Sequence, residues 1–165
     1  MMPAEEICAC GSLSDLAHVP MGGDGMDEKF LATVNQAKSY GPSKWWLWLG
    51  KCSACEQDWL VAQEERIFDE YFLKKLAVEQ AHNVMYSDQW PQEFSTYENV
   101  LRVGGTMATH CRFLERTSPS LVWTAEDLRT ERPDITISEI AALLDVDIGQ
   151  ASDVVQAIGQ IDMGD

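Results

Sequence analysis

The sequence predicts an α+β fold: a β-rich part over residues 1–67 that carries a cysteine site, and a mainly helical part over residues 68–165, together one compact unit. Three observations lead there. An aromatic-rich strand pattern runs into Cys52-Ser53-Ala54-Cys55 and a second apolar run leaves it, which places the cysteine pair at the tip of a hairpin. Beyond Phe68 the apolar spacing shifts toward 3.6. Residues 136–158 hold two short helical patterns separated by Asp145-Val146-Asp147. A chain of 165 residues that is 45% hydrophobic is large enough for a real core and too apolar for a disordered protein.

The elements follow in chain order. The start contains the corner Cys8-Ala9-Cys10-Gly11, and the first segment closes in the glycine-rich turn Met21-Gly22-Gly23-Asp24-Gly25. A short helix is predicted over Asp27–Lys38, with Phe30, Val34 and Ala37 at helical spacing and Asp27 near its start. Tyr40-Gly41-Pro42-Ser43 reads as a turn. Lys44-Trp45-Trp46-Leu47-Trp48-Leu49 reads as a strand, and a second runs from Asp58 to about Ile67. From Phe68 to Tyr86 a helix is predicted, because Phe72, Leu76 and Gln80 share one side with Leu73 and Ala77 beside them; Trp90-Pro91 ends it. Phe94–Leu114, interrupted by Gly104-Gly105, fits a helical or an extended pattern. Pro119–Arg132 contains a short helix opened by Thr124, with Asp127 three positions on in the manner of a capping box.

Charge narrows the function. The net charge of −15, from 27 acidic and 12 basic residues, repels phosphate backbones and anionic lipid heads. Direct nucleic-acid and membrane binding are therefore disfavoured, and basic proteins, cationic ligands or metal ions are favoured. The alternative is that the charge serves solubility alone. No apolar stretch is long enough to cross a bilayer. Met1–Cys10 carries Glu5 and Glu6 and has neither a basic start nor an apolar run, so no secretion signal is predicted. Five cysteines without such a signal point to a reducing compartment, where close cysteine pairs bind metal more often than they form disulfides. The expected location is cytoplasmic.

The cysteine spacing carries the strongest chemical signal. Cys52-x-x-Cys55 lies between two predicted strands, where backbone amides can hydrogen-bond the first thiolate and lower its pKa. Cys8-x-Cys10-Gly11 supplies a second corner, with Gly11 available for the positive φ of a tight turn. Together these residues resemble the zinc-ribbon family over about residues 7–67, with CxC in place of the first CxxC. The resemblance implies one structural zinc held by Cys8, Cys10, Cys52 and Cys55, with His18 as an alternative ligand. Four thiolates leave no open position for water or substrate, so the metal's implied role is in folding. The alternatives are four merely reduced thiols, or a redox pair at Cys52 and Cys55; a hairpin tip fits the latter poorly, because a thioredoxin-like pair opens a helix. Cys111 reads as a lone core thiol.

No catalytic template is met. His18, His82 and His110 are scattered, His110-Cys111 are neighbours that point apart on a strand, and no phosphate-binding or nucleophile-elbow motif occurs. Glu64-Glu65 and Asp69-Glu70 are paired carboxylates that read as a solvated face. An enzyme is not expected.

Thr136-Ile137-Ser138-Glu139-Ile140-Ala141-Ala142-Leu143-Leu144-Asp145-Val146-Asp147 resembles the first helix and turn of a helix-turn-helix, with Asp145 where that family often has Gly. From Pro133 onward there are seven acidic residues and no Lys or Arg, so a recognition helix there lacks the cations that hold phosphate and read guanine. A packing or protein-binding role is favoured.

The expected function follows from small size, acidity, a metal-stabilised scaffold and the absence of a catalytic set. The chain, including Trp-Leu-Val-Ala-Gln-Glu-Glu-Arg (residues 59–66), resembles the immunity proteins of bacterial polymorphic toxin systems. That resemblance implies a protein that binds a cognate, basic toxin and blocks its active site. The alternatives are a zinc-ribbon/helix-turn-helix antitoxin or transcriptional regulator, and a zinc-binding adaptor. The two acidic stretches available to such a partner are Glu64, Glu65, Asp69 and Glu70, and the C-terminal helix pair.

Overall fold

The computed structural model describes residues 8–22, 25–40 and 44–159. The expected turn at 41–43, part of the glycine-rich turn at 23–24, and Asp162 and Asp165 lie outside the described residues. The chain forms two compact units. A sheet unit comprises the chain up to Glu64 together with Asp69–Phe94, and a helical unit comprises Glu65–Phe68 and the chain from Ser95.

The sheet unit holds β1 (Leu16–Pro20), β2 (Val34–Tyr40), β3 (Lys44–Cys52), β4 (Asp58–Glu64) and β5 (Glu70–Leu76), with α1 (Met26–Thr33) between β1 and β2 and α2 (Val78–Ser87) after β5. The five strands form one sheet in the order β1-β5-β4-β3-β2, antiparallel throughout. Central β4 is buried at all but one position, Gln63, which tells that both faces of the sheet are covered. On one face Trp48, Trp59, Val61 and Leu73 pack with Phe30 of α1 and with Cys8, Cys10 and Cys52. On the other lie Leu47, Leu49, Leu60 and Phe72, each no more than 2% exposed. Burying each such side chain contributes about 1.5–3 kcal/mol. Gly50 is required by close approach: a Cβ there would lie 2.8 Å from both the Trp48 ring and a Val34 methyl.

Two expected helices are corrected here. The predicted Asp27–Lys38 helix stops at Thr33, and Val34–Tyr40 is an edge strand paired to β3 from Val34↔Cys52 onward. Cross-strand hydrogen bonds override a weak helical spacing, and β-branched Thr33-Val34 marks the change. The predicted Phe68–Tyr86 helix is instead β5 followed by α2. Phe72, Leu73 and Leu76 are buried because β5 is sandwiched between β4 and β1, and a short apolar run in such a strand cannot be told from a helix by periodicity. Residues 69–94 accordingly belong with the sheet rather than with the helical half. Lys38 anchors the end of α2: its Nζ donates to the carbonyls of Val84 (2.9 Å) and Met85 (3.3 Å) and pairs with Asp88 at 3.2 Å.

The helical unit contains α3 (Tyr97–Gly105), α4 (Pro119–Glu131), α5 (Ile137–Leu144) and α6 (Ile148–Gln156). Thr96 caps α3 by accepting from the Asn99 amide at 3.1 Å. The helix expected from Thr124 begins five residues earlier, at Pro119. Proline's missing N–H costs nothing at a first helical position, and the Thr124 hydroxyl instead donates to the Ser120 carbonyl at 2.7 Å. The α5–α6 pair has the expected bounds. Thr136 and Glu139 form a capping box, Asp147 caps α6, and Asp145 adopts the left-handed conformation (φ 57°) between them, which a short polar side chain tolerates.

An ion network centred on one buried carboxylate ties this unit together. Glu98, 9% exposed, accepts from Arg102 at 2.6 Å and from Arg132 at 2.9 and 3.2 Å; Arg132 also bonds Glu139. Arg132 holds the Glu98 carboxyl below its ordinary value despite burial, with Arg102 adding to the effect. Arg132, with the Thr136 amide and hydroxyl, lowers Glu139 from 4.5 to about 2. Folded-state pKa values below the unfolded ones mean stability that is present above pH 4.5 and is lost as pH falls toward about 2. Circular dichroism across that window is expected to show the helical signal failing in acid. Glu98→Gln should flatten the pH dependence while lowering stability at neutral pH. A helical signal indifferent to pH in both proteins would remove the network from the account.

Candidate metal centre

Four cysteines converge in the sheet unit. Cys8, Cys10, Cys52 and Cys55 place their sulfurs all within 4.8 Å of one another, and none forms a disulfide. Such a group can hold a metal ion. It is built from two local turns. The first is a 3₁₀ turn over Cys10–Ser12, closed by Ser12 N–H to the Ala9 carbonyl (3.1 Å) and Leu13 N–H to the Cys10 carbonyl (3.2 Å). The second is the β3–β4 hairpin tip, closed by Cys52 N–H to the Gln57 carbonyl and Glu56 N–H to the Cys52 carbonyl, both 2.9 Å. Positive φ was expected at Gly11, but Gly11 lies inside the 3₁₀ turn, and the left-handed residue is Glu56 at 66°. The hairpin has to reverse after Cys55, so the strain falls there.

The surroundings favour the thiolate at Cys52 and disfavour it at Cys10 and Cys55. Cys8, Cys10 and Cys52 are at most 4% exposed. Burial pushes the Cys10 thiol up, opposed by the Trp59 indole N–H that donates to its sulfur at 3.2 Å and reinforced by Cys55 and Cys52. Burial also raises Cys55, against the Gln57 amide. Burial acts the same way on Cys52, yet the Thr33 hydroxyl and the amides of Cys55 and Ala54 outweigh it, bringing that thiol down to about 6. The Thr33 Oγ1 is itself buried with no hydrogen-bond partner at ordinary geometry, a donor placed for a sulfur anion. Four clustered thiols, three of them buried, cannot all ionise without a cation, and a bound metal supplies one. The donor set and the buried hydroxyl beside Cys52 therefore fit a thiolate-bound metal.

Other candidate groups fall elsewhere. His18 is not among the four: its Nδ1 faces Glu70 Oε1 at 2.5 Å, which withdraws it as an alternative ligand in this arrangement. Glu64 and Glu70, expected on a solvated face, are 1% and 8% exposed and lie directly opposite each other across β4 and β5. They cannot greet a partner, and the reason is the missed strand: β5 folds their segment back against the sheet. His110 Nε2 lies 3.0 Å from the Leu143 carbonyl and its ring packs on Phe68. Cys111 is half-buried and outside the cluster, its amide bonded to the Ile67 carbonyl at 2.7 Å. Sequence reasoning missed Trp59 and Thr33 as supports of the sulfurs; Trp59, next but three after Cys55 in an apolar run, reads only as a strand residue.

Among the described residues, no helix is long and apolar enough to cross a membrane. No protein family, curated protein or solved structure matches the chain.

Proposed function

We propose that this chain is an acidic inhibitory protein that binds a basic partner, of the toxin-immunity kind, on a scaffold stapled by one structural zinc. The zinc reading rests on the donor set. Thiolates at about 2.3 Å from a tetrahedral zinc stand about 3.8 Å apart, so the four sulfurs need to close by no more than about 1 Å. Four protein ligands fill the tetrahedron, which leaves the ion a folding role and suits a thiol-reducing, cytoplasmic setting.

One observation carries the partner reading: among the described residues, half of the chain's twelve Lys and Arg side chains are engaged by its own carboxylates. Lys38, Lys74, Arg66, Arg102, Arg116 and Arg132 each pair with one of its own carboxylates. The net charge of −15 is thus displayed through exposed carboxylates such as Asp15, Glu56, Asp69, Glu79, Glu115 and Asp134. Such a field accelerates encounter with a basic protein and repels phosphate. The helix pair contributes less than its composition implies, because Glu139 faces Arg132, and Asp147 and Asp153 face Arg116.

The test is co-purification with the product of the adjacent gene, then stopped-flow binding over a salt series. Association is expected to slow at least tenfold as salt rises, with dissociation changing little. Salt-indifferent binding, or no partner, would reduce the acidic surface to a solubility feature. A specific shift of duplex DNA at nanomolar protein would favour a regulator instead.

A further inference from the structure

The carboxylate of Asp58 opens onto a groove whose chemistry the metal centre does not use. Asp58 begins β4 on the sheet face opposite the cysteines and is 7% exposed. Among the described residues, no hydrogen bond or ion pair reaches its carboxylate. It lines a cavity of about 290 Å³ between the sheet and α2, walled by Leu49, Val78, Ala81, Met85 and Tyr86, with Lys51 and His82 also on its lining. Val78 and Tyr86, at 79% and 74% exposure, stand at its rim, an uncommon display of apolar surface on one helix. The His82 ring lies 4.6 Å from that of Tyr86.

We propose that this groove is a cation site that receives one lysine or arginine side chain of a basic partner. The inference rests on the inhibitory reading above. A buried carboxylate without a partner is costly, and proteins keep such groups where a ligand supplies the missing charge. Burial raises the Asp58 carboxyl, with Lys51 opposing and Glu56 adding to the effect. Lys51 is its cross-strand neighbour and lines the same groove, but it is exposed and makes no ion pair with Asp58, so it offsets the carboxylate's charge only in part and an incoming cation can displace it. The volume lies below the roughly 300–1,000 Å³ of drug-sized pockets and suits a single side chain. The aliphatic stem of Lys or Arg would lie along Leu49, Val78 and Met85, with Tyr86 offering its ring face to the cation. An anion is excluded by Asp58, and an uncharged apolar ligand would leave that carboxylate buried and unpaired.

The probe is acetyl-Gly-Arg-Gly-amide, with its citrulline counterpart as the uncharged isostere, titrated into the full-length chain and followed by amide resonances. The arginine peptide is expected to shift signals of Leu49, Ala81, Met85 and Tyr86 saturably, and the citrulline peptide to leave them unmoved. Asp58→Asn and Tyr86→Ser should each weaken binding, Asp58→Asn by about tenfold or more. Lys51→Met should tighten it, and Asp134→Asn, in the helical unit, should leave it unchanged. Asp58→Asn should melt no lower than the parent at neutral pH, because it removes an unpartnered buried charge. The inference is overturned if both peptides bind alike, if shifts scatter without saturation, or if Asp58→Asn binds like the parent. A marked fall in melting temperature for Asp58→Asn would also overturn it, by making Asp58 a structural partner of Lys51. Should Asp58→Asn bind the adjacent-gene product as tightly as the parent, the groove falls and the inhibitory reading stands. Should the peptide fill the groove and no neighbouring protein bind, the inhibitory reading falls and the cation site stands.

Discussion

Stripping the metal from the cysteine cluster is expected to unfold the sheet unit. The four sulfurs tie a 3₁₀ turn near the N-terminus to the β3–β4 tip, and three of the four cysteines are core residues, packed with Phe30, Val34, Trp48 and Trp59. Structural zinc binding contributes on the order of 10–16 kcal/mol to small thiolate sites, against a net domain stability of about 5–15 kcal/mol. Loss of the ion is therefore comparable to the whole margin. Elemental analysis is expected to find about one zinc per chain. Chelation, Cys52→Ser and Cys10→Ser should each abolish amide-exchange protection in β3 and β4, whereas Cys111→Ser, outside the cluster, should change melting little. Metal-free protein with an unaltered melting curve would falsify the structural role.

Trp59→Ala is expected to be the most damaging substitution outside the cysteines. The side chain is fully buried, its ring meets Phe30 edge-on at 5.4 Å, and its indole N–H reaches the Cys10 sulfur at 3.2 Å. Truncating a buried tryptophan costs about 3–5 kcal/mol through lost burial and the cavity left behind. Trp59→Phe separates the two roles. It keeps most of the packing and loses the N–H···S bond, so stability should fall less, while metal affinity should drop about 10–100-fold, as when an outer partner of a ligand is removed. Competition with a chelator of known affinity measures the second effect. Unchanged metal affinity in Trp59→Phe would confine Trp59 to packing.

Much of this site was legible before any coordinates. Two short cysteine pairs, one between two strand-like runs, are enough to name Cys8, Cys10, Cys52 and Cys55, because turn-borne thiols at such spacing have few other uses in a chain without disulfides. The α5–α6 pair was equally readable: Asp147 ahead of Ile148 is a local capping signal whose partner, the Gln150 amide, lies three residues away. A signal of that range rests on local backbone geometry, although the Thr124–Asp127 pattern, overtaken by a helix that starts at Pro119, shows that it does not always set the boundary.

Where contacts run farther than a helical turn, composition misled. The run Tyr71-Phe72-Leu73 has no period that separates a buried strand from a helix, and only pairing with β4 on one side and β1 on the other made it β5. That pairing then buried Glu64 and Glu70, which as bare sequence look like an acidic surface. The fold likewise sank Asp58 beneath α2 and brought Trp59 to the Cys10 sulfur and Thr33 to the Cys52 sulfur. The sequence by itself determined the four-cysteine cluster, the cap of α6 and the net charge, each a property of composition or of neighbours within a few residues. The tertiary structure decided which carboxylates face solvent, which hydroxyl and indole support the thiolates, and where the unpaired Asp58 opens, because burial is set by residues distant in the chain.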